Sequence, residues 1–370
     1  MRTATAARLA AAAAVLCTAL GMGAVAPASA CACGGVVSPG DTARVDQETA
    51  VLAWDGRRET ILMRLALTAE SEHAALIVPT PRPATVTAGS PDTFAELSRL
   101  TAPEFVVETE WFADTADGSG APAAVAPTVL DQVRLGPLEA TTLSGGDLTG
   151  LRTWLGANGY ALRPEVTATL APYVREGWSF VAMRLTGAQP LDGALDPVRL
   201  SFDSDRLVYP MRMSAAARTP QSVHLYVLDR HRVARADDDA AHHYSSVEFA
   251  GRVDPADVAD PLLRELTAAG QDYLTEMQVH IADPATVTTD FTFTAAPEDA
   301  DYRRRFVQTD EVMLFGLPAG YVVLGAAGLA AAVVVIAVVR VARARPGAVS
   351  SRSCGAATSA GSPRPANSPH

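Results

Sequence analysis

The stretch AVLAWDGRRETILMRLAL, residues 50–67, sets the fold expected of this 370-residue chain. Val51–Trp54 is an apolar run, Asp55-Gly56 has the composition of a tight turn, and every second residue from Ile61 to Leu67 is apolar. Two short apolar segments joined by such a turn are typical of a β-hairpin, and alternation at period two indicates a buried face. The stretch therefore predicts a hairpin with one buried face.

Further strand and helix patterns follow the hairpin. Ala74–Val78 predicts a strand that stops at Pro79–Pro83, where prolines indicate an edge strand or a polyproline-like arm. Short helices are predicted from Ser90 and at Pro261–Ala269, and two successive helices, begun by Asp147 and Pro164, predict a helical hairpin. The remaining strand predictions are Phe105–Phe112, Val133–Thr142, Trp178–Leu185, Val198–Phe202, Leu207–Met213, Val223–Leu228, Met277–Ile281 and Thr286–Thr294. This order predicts an α+β domain with largely antiparallel sheets.

One long apolar segment lies near the C-terminus. Residues 319–339 carry no charge and are followed by Arg340, Arg343 and Arg345. A helix needs roughly 20 apolar residues to cross a hydrocarbon core of about 30 Å, so this segment predicts a single transmembrane helix.

The N-terminus indicates which side of the membrane the rest of the chain occupies. Arg2 and Arg8 precede an apolar stretch that ends at Ala28-Ser29-Ala30, the pattern of a signal peptide. We therefore predict a signal peptide at 1–30, an extracytoplasmic α+β domain at 31–306, a juxtamembrane segment at 307–318, the helix at 319–339 and a disordered cytoplasmic tail at 340–370. The expected location is the cell membrane, with the N-terminal domain outside.

Charge follows the same borders. Residues 31–317 contain 23 arginines and all 41 acidic residues, a formal charge of −18, and the chain has no lysine. So acidic a domain argues against nucleic acid as a ligand and is compatible with cations or basic partners. The plain alternative is that the acids keep an extracytoplasmic domain soluble.

Several segments together resemble a known bacterial family. They are Cys33-Gly34-Gly35, the hairpin at 50–67, ALIVPTPRP at 75–83, FAELSRLTAPEF at 94–105, the block at 151–185 and FDSDRLVYPMRM at 202–213. In order and spacing they resemble domain-of-unknown-function family 2330. The resemblance implies a secreted or membrane-anchored protein and brings no assigned activity. Members often have a second cysteine shortly after Cys-Gly-Gly, whereas here Val36, Val37 and Ser38 follow.

Cys31 and Cys33 are the only cysteines predicted to lie in the extracytoplasmic domain. They admit a structural disulfide, a labile redox pair, lipidation of Cys31 or free thiols at the terminus. The absence of a basic neighbour or a helix start beside them argues against redox chemistry.

A second candidate set is acidic and histidine-rich. Asp237, Asp238, Asp239, His242 and His243 place five potential metal ligands within seven residues. Carboxylate and imidazole together suit Zn²⁺ or another divalent ion. The spacing matches no established site, and the plain alternative is a solvated loop.

The other polar and aromatic features have structural interpretations. Asp203-Ser204-Asp205-Arg206 resembles a motif that holds a metal beside a phosphate, but between two strands it predicts a turn. The four tryptophans, predicted to pack in cores, are Trp54, Trp111, Trp154 and Trp178.

No motif identifies a reaction. The sequence contains no nucleophile elbow, zinc-protease helix or nucleotide-binding fingerprint, and we expect no cofactor. We therefore expect a single-span cell-envelope protein whose outer domain binds or scaffolds an envelope protein or a cell-wall component. The alternative is an extracytoplasmic enzyme, either a metal-assisted hydrolase using 237–243 or a thiol oxidoreductase using the two cysteines.

Overall fold

The computed structural model describes residues 34–38, 43–112, 132–133, 139–143, 148–187 and 191–344. The predicted signal peptide, Cys31, Cys33, the predicted loop at 114–127, Asp147 and the tail beyond 344 lie outside these residues. The described residues form two units. The first comprises 34–106 and 132–306, and the second comprises 107–112 and 307–344.

The described residues form five α-helices and 21 strands. The helices are α1 (Pro91–Leu100), α2 (Thr149–Ala157), α3 (Pro164–Arg175), α4 (Pro261–Ala268) and α5 (Ala319–Ala344). The strands are β1 (Gly35–Val37), β2 (Arg44–Trp54), β3 (Arg58–Thr68), β4 (His73–Thr80), β5 (Thr85–Ala88), β6 (Glu104–Glu110), β7 (Gln132–Val133), β8 (Glu139–Leu143), β9 (Ser179–Thr186), β10 (Asp192–Leu195), β11 (Val198–Asp203), β12 (Val208–Tyr209), β13 (Gln221–Asp229), β14 (Val233–Arg235), β15 (Tyr244–Arg252), β16 (Tyr273–Ile281), β17 (Phe291–Ala295), β18 (Tyr302–Arg303), β19 (Arg305–Glu311), β20 (Met313–Leu314) and β21 (Leu317–Pro318).

The predicted hairpin lies in the middle of the largest sheet. β2 and β3 pair antiparallel from Arg44↔Thr68 to Trp54↔Glu59, which confirms the hairpin. The sheet runs β18-β15-β16-β13-β2-β3-β10-β7, and β11 and β5 extend it beside β3. Its pairs are antiparallel except β13 with β2 and β10 with β7. The predicted class, α+β with largely antiparallel sheets, is confirmed.

A second sheet stacks on the first. It has the order β1-β4-β9-β8 and is antiparallel throughout. Leu76 of β4 and Met183 of β9 share one buried cluster with Leu52 and Ile61 of the large sheet, so the two sheets pack face to face. A small sheet, β12-β17-β14, adds Tyr209 and other apolar residues to the same cluster.

Helices cover the outer face of each sheet. On the four-stranded sheet, Ile77 packs with Leu155 of α2 and Leu170 of α3, which form the predicted helical hairpin. On the ten-stranded sheet, Leu62 packs with Phe94 of α1 and Leu263 of α4. The first unit therefore has four layers, with two stacked sheets between two layers of helices.

This layering corrects the prediction of one buried face for the hairpin. Leu52 and Ile61 face the sheet–sheet core, whereas Val51 and Leu62 face α1 and α4. Antiparallel sheets often leave one face in water, but here helices cover it, so the apolar run from Val51 is nearly continuous.

The strand predicted to stop before Pro79 continues through it, because Pro79 lies within β4 opposite Phe180 of β9. The edge alternative agrees with the pairing, because β1 covers β4 only along Ala75–Ile77. The missing N–H of Pro79 therefore faces a side of β4 that has no partner strand among the described residues.

Other strand predictions were too long. Val208–Tyr209 is a strand, but Arg212–Ala216 forms a 3₁₀ helix. The predicted strand at 286–294 is likewise divided into a turn at Pro284–Thr286 and strand β17.

The second unit contains the predicted membrane helix. α5 has 26 residues and is apolar and long enough to cross a membrane. It continues beyond the predicted end at 339, so Arg340 and Arg343 lie on the helix. The juxtamembrane segment before it, for which the sequence predicts no strand, contains most of β19 together with β20 and β21. Trp111 is in this unit and is more than half exposed, which corrects its predicted core position.

The Gly34-Gly35 pair of the Cys-Gly-Gly motif has a packing role. A methyl group at Gly34 would overlap the carbonyl oxygen of Ile77 in β4, and one at Gly35 would meet the Met213 methyl at 2.6 Å. The close approach of β1 to β4 therefore requires that position 34 has no side chain.

Gly34→Ala should lower the free energy of unfolding by about 1–3 kcal/mol, because the backbone oxygen it meets cannot move aside. Urea unfolding of the full chain in detergent micelles measures the change. Gly156→Ala is the matched control, since position 156 on α2 has no neighbouring atom within 4 Å and the substitution favours the helix. Equal effects of the two substitutions would contradict the packing role.

Candidate functional site

The turn of the central hairpin places an arginine at the end of the large sheet. Asp55 Oδ1 accepts hydrogen bonds from the backbone N–H groups of Arg57, at 2.8 Å, and Arg58, at 2.7 Å. These bonds hold the pKa of Asp55 below its usual value, and the bond from Arg58 contributes most. The carboxylate fixes the turn and leaves the Arg57 side chain exposed.

The turn after β11 lies against the hairpin turn. The Ser204 N–H donates to the Arg57 carbonyl at 2.8 Å, and the Trp54 indole N–H donates to the Ser204 carbonyl at 3.0 Å. The Ser204 hydroxyl donates to the Arg206 carbonyl at 2.5 Å, as expected for a turn at Asp203–Arg206. The two turns therefore carry Arg57 and Arg206 side by side.

Two further segments complete a cavity of about 460 Å³. Arg82 enters from the end of β4, where the Thr80 hydroxyl donates to the Arg82 carbonyl at 2.8 Å. Glu176 and Trp178 enter from the end of α3. The cavity is lined by Gly56, Arg57, Pro81, Arg82, Glu176, Trp178, Asp203, Ser204, Asp205 and Arg206.

The arginines of this cavity form no ion pair with the described acids that line it. Within the described part of the chain, the guanidinium groups of Arg57, Arg82 and Arg206 form no ion pair. Asp203 instead lies 3.5 Å from Arg58, and Glu176 is bound by Arg212. The cavity thus presents three available guanidinium groups, in a domain with a large excess of acids.

Arg212 holds the wall of the cavity in place. It donates to both oxygens of Glu176, at 2.5 and 2.7 Å, and to Asp290 at 2.9 Å. Its guanidinium lies 4.1 Å from the centre of the Tyr173 ring, and the Tyr173 hydroxyl also donates to Asp290. The bonds from Arg212 hold the pKa of Glu176 below its usual value, so this carboxylate stays charged and occupied.

A buried glutamate lies behind the two turns. Glu59 of β3 is fully buried; one carboxyl oxygen accepts from the Val208 N–H at 3.2 Å, and the other has no partner among the described residues. Burial raises the pKa of Glu59 well above its usual value, against weaker opposing contributions from Val208, Ser204 and Arg206. Burial therefore favours the protonated, neutral form of Glu59.

This arrangement can bind an anion. A guanidinium carries a forked set of donors that matches carboxylate and phosphate oxygens, and it loses water more readily than an ammonium. Three such groups around one cavity can contact different oxygens of one ligand. Among the acids near the cavity, Glu176 is paired with Arg212 and Asp203 with Arg58, and burial favours the neutral form of Glu59. Asp205 is a further acidic residue of the lining.

The comparisons with known proteins identify the family. Residues 27–294 match the family described as an uncharacterized protein conserved in bacteria (DUF2330). The chain belongs to this family. No curated protein matches it. Among solved structures it is similar to the crystal structure of baculovirus P35, with a TM-score of 0.32 and 7% sequence identity over 68% of this chain and 98% of that one. This similarity is too low to support an argument about fold or function.

The predicted metal ligands of this DUF2330 chain have other partners. Arg235 donates to both oxygens of Asp237, at 3.0 and 2.5 Å, and both side chains are at most 4% exposed. The carboxylate of Asp239 accepts four hydrogen bonds of 2.7–3.0 Å from Thr288 and Thr289. These two carboxylates stabilise the loop internally.

The remaining members of the set are divided between surface and interior. Asp238 and His242 are exposed, whereas His243 is buried, with its Nδ1 atom 3.3 Å from Arg235. Burial, with Arg235 nearby, lowers the pKa of His243, so its imidazole is neutral near neutral pH. The loop is therefore not simply solvated.

No three His, Cys, Asp or Glu side chains in the described ranges are placed to hold one metal ion. The metal hypothesis gains no geometric support and stays a prediction. The roles suggested for Cys31 and Cys33 stay predictions too, because both residues lie outside the described ranges.

The cavity was missed in the sequence because its residues come from separate turns. The sequence predicts a turn at Asp55-Gly56, an edge strand or arm at Pro79–Pro83 and a turn at Asp203–Arg206. The available signal is that each of these segments contains or adjoins an arginine. The sequence alone does not show that the turns meet at the same edge.

Glu59→Gln should stabilise the protein increasingly as pH rises. With its pKa raised in the folded state, wild-type Glu59 contributes full stability below the unfolded pKa near 4.3 and loses it as pH rises towards the folded pKa. Glutamine imitates the neutral acid and does not titrate. The difference in unfolding free energy between variant and wild type should therefore be small near pH 4 and grow with pH.

Urea unfolding of the full chain in detergent between pH 4 and 8 measures this difference. Glu72→Gln, at an exposed glutamate, is the control and should show no such growth. A constant difference for Glu59→Gln across the range would mean that folding does not raise the pKa of Glu59.

Proposed function

We propose that the chain is a single-span cell-envelope protein whose large domain binds an anionic envelope component outside the cytoplasmic membrane. The observation that carries this proposal is the convergence of Arg57, Arg82 and Arg206, all free of ion pairs with described residues, on one cavity. Three guanidinium groups directed at one cavity support the binding of a negatively charged group.

The location rests on the order of the apolar segments. The signal-like residues 1–30 would direct the following domain out of the cytoplasm, and α5 would stop transfer and leave the tail inside. The ligand is then a carboxylate- or phosphate-bearing group of an envelope protein or of the cell wall.

The acidic charge of the domain shapes this binding. A formal charge of −18 on residues 31–317 repels a distant anion, but exposed charges more than about 10 Å apart are largely screened at 0.1 M salt. Arg57, Arg82 and Arg206 line the cavity itself, whereas all but three of the acids of residues 31–317 lie outside its lining. We therefore expect local binding that does not depend on long-range attraction.

Binding can be measured with citrate, a probe with three carboxylates, by calorimetry on the full chain in detergent. Arg57→Gln, Arg82→Gln and Arg206→Gln should each weaken citrate binding roughly tenfold or more, because each removes a charge-assisted hydrogen bond worth about 1.5–3 kcal/mol. Arg152→Gln, at an exposed arginine of α2 outside the cavity, should leave the affinity unchanged. Wild-type protein that binds neither citrate nor inorganic phosphate would remove the anion-binding proposal.

Orientation has a separate test. Protease added to intact spheroplasts should degrade the large domain while an epitope fused after His370 stays protected until the membrane is permeabilised. Protection of the large domain, with loss of the epitope, would reverse the proposed orientation.

A further inference from the structure

Exposed apolar side chains surround the start of α5. In the second unit, Phe315 is 93% exposed and Trp111 is 54% exposed. With their neighbours they form what we call the collar, defined as Trp111, Phe112, Met313, Leu314, Phe315 and Leu317. Clustered exposed aromatic and aliphatic groups are unusual on a surface that faces only water.

Backbone hydrogen bonds fix the collar to the helix. The Gly320 N–H donates to the Trp111 carbonyl at 2.5 Å, and the Ala319 N–H donates to the Val312 carbonyl at 2.7 Å. A methyl group at Gly320 would overlap the Phe112 ring, so the segment Trp111-Phe112, which follows β6, lies directly on the first turn of α5. Trp111, Phe112 and the start of the β20–β21 hairpin are therefore held at the first turn of α5.

Phe315 occupies an unfavourable backbone position. It is at the tip of the β20–β21 hairpin with φ of 58°, a left-handed conformation that glycine or asparagine adopts at lower cost. The backbone of Phe315 is strained and its large apolar ring is exposed, and contact with water does not stabilise such a ring. Its position is explained if the ring enters an apolar medium.

The adjoining membrane supplies that medium. The uncharged part of α5, residues 319–339, extends about 32 Å, which matches a hydrocarbon core of about 30 Å, so the start of the helix lies where the core meets the interfacial layer. Aromatic rings are favoured in that layer. The charged residues next to the collar are Glu110, Asp310 and Glu311, so attraction to anionic lipid headgroups does not account for the contact.

We propose that the collar lies in the interfacial layer of the leaflet at the N-terminal end of α5, so that the chain contacts the bilayer through two chain segments besides the helix. This inference rests on the proposed membrane span. The collar would set the depth of the helix and hold residues 111–112 at the lipid surface. Because the contact is apolar, it should persist at high salt.

Tryptophan fluorescence of the full chain in phosphatidylcholine vesicles tests the depth. In Phe315→Trp, the added indole should be quenched by lipids brominated high on the acyl chain and shielded several-fold from aqueous iodide. Gln308→Trp is the control in the same unit, because position 308 is exposed beside Asp310, which we expect to remain in water. The indole added in Gln308→Trp should be quenched by iodide and not by brominated lipid. Subtracting the wild-type emission isolates the signal of each added indole.

The native collar gives a second measurement that adds no residue. Trp111→Phe should reduce the part of the wild-type emission that brominated lipid quenches. If it does not, or if iodide quenches the added indole of Phe315→Trp as strongly as that of Gln308→Trp, the collar is in water and the proposal is overturned.

Resistance to alkaline carbonate extraction separates this failure from failure of the span. If the protein remains in the vesicles but iodide quenches the indole added in Phe315→Trp, the membrane span is supported and the collar proposal is overturned. Protein released by carbonate contradicts the membrane span itself, and the collar proposal fails with it.

Discussion

The first unit depends on covering both faces of two stacked sheets. Once β2 and β3 bury Leu52 and Ile61 against the four-stranded sheet, Val51 and Leu62 on the opposite face also need cover, which α1 and α4 supply. The α2–α3 hairpin does the same for the four-stranded sheet. Burial of apolar area at roughly 25 cal/mol per Å² favours such closure on both sides, and the four layers follow from it.

The candidate site is a consequence of where those layers end. Several strands that carry apolar residues end close together. The turns that follow them must be polar because their backbone groups are not paired in a sheet. Hydrogen bonds of Asp55, Ser204 and Arg212 hold these turns and the wall beside them in place. The guanidinium groups of Arg57, Arg82 and Arg206 remain available to a ligand. A rigid frame with uncommitted donors is suited to binding because little order has to be gained with the ligand.

Local charge in this protein differs from the overall charge. The net charge predicts cations or basic partners, yet the cavity gathers arginines, and the acidic cluster at 237–239 is occupied by Arg235 and by Thr288 and Thr289. Coulomb energy falls with distance and is screened by salt, so the nearest few groups determine what a site binds. The second unit shows the same locality for apolar groups, which cluster beside the start of α5.

The sequence alone determined the elements whose signal is local. The central hairpin, the helical hairpin, α1, α4 and the apolar helix all follow from periodicity and capping residues between neighbours, and the family follows from the order of short segments. The tertiary structure decided the rest: that the hairpin is buried on both faces, that Pro79 lies inside a strand, that Asp237 and Asp239 are occupied, and that three arginines meet. These outcomes depend largely on contacts between residues far apart in the chain, whose partners no local pattern specifies.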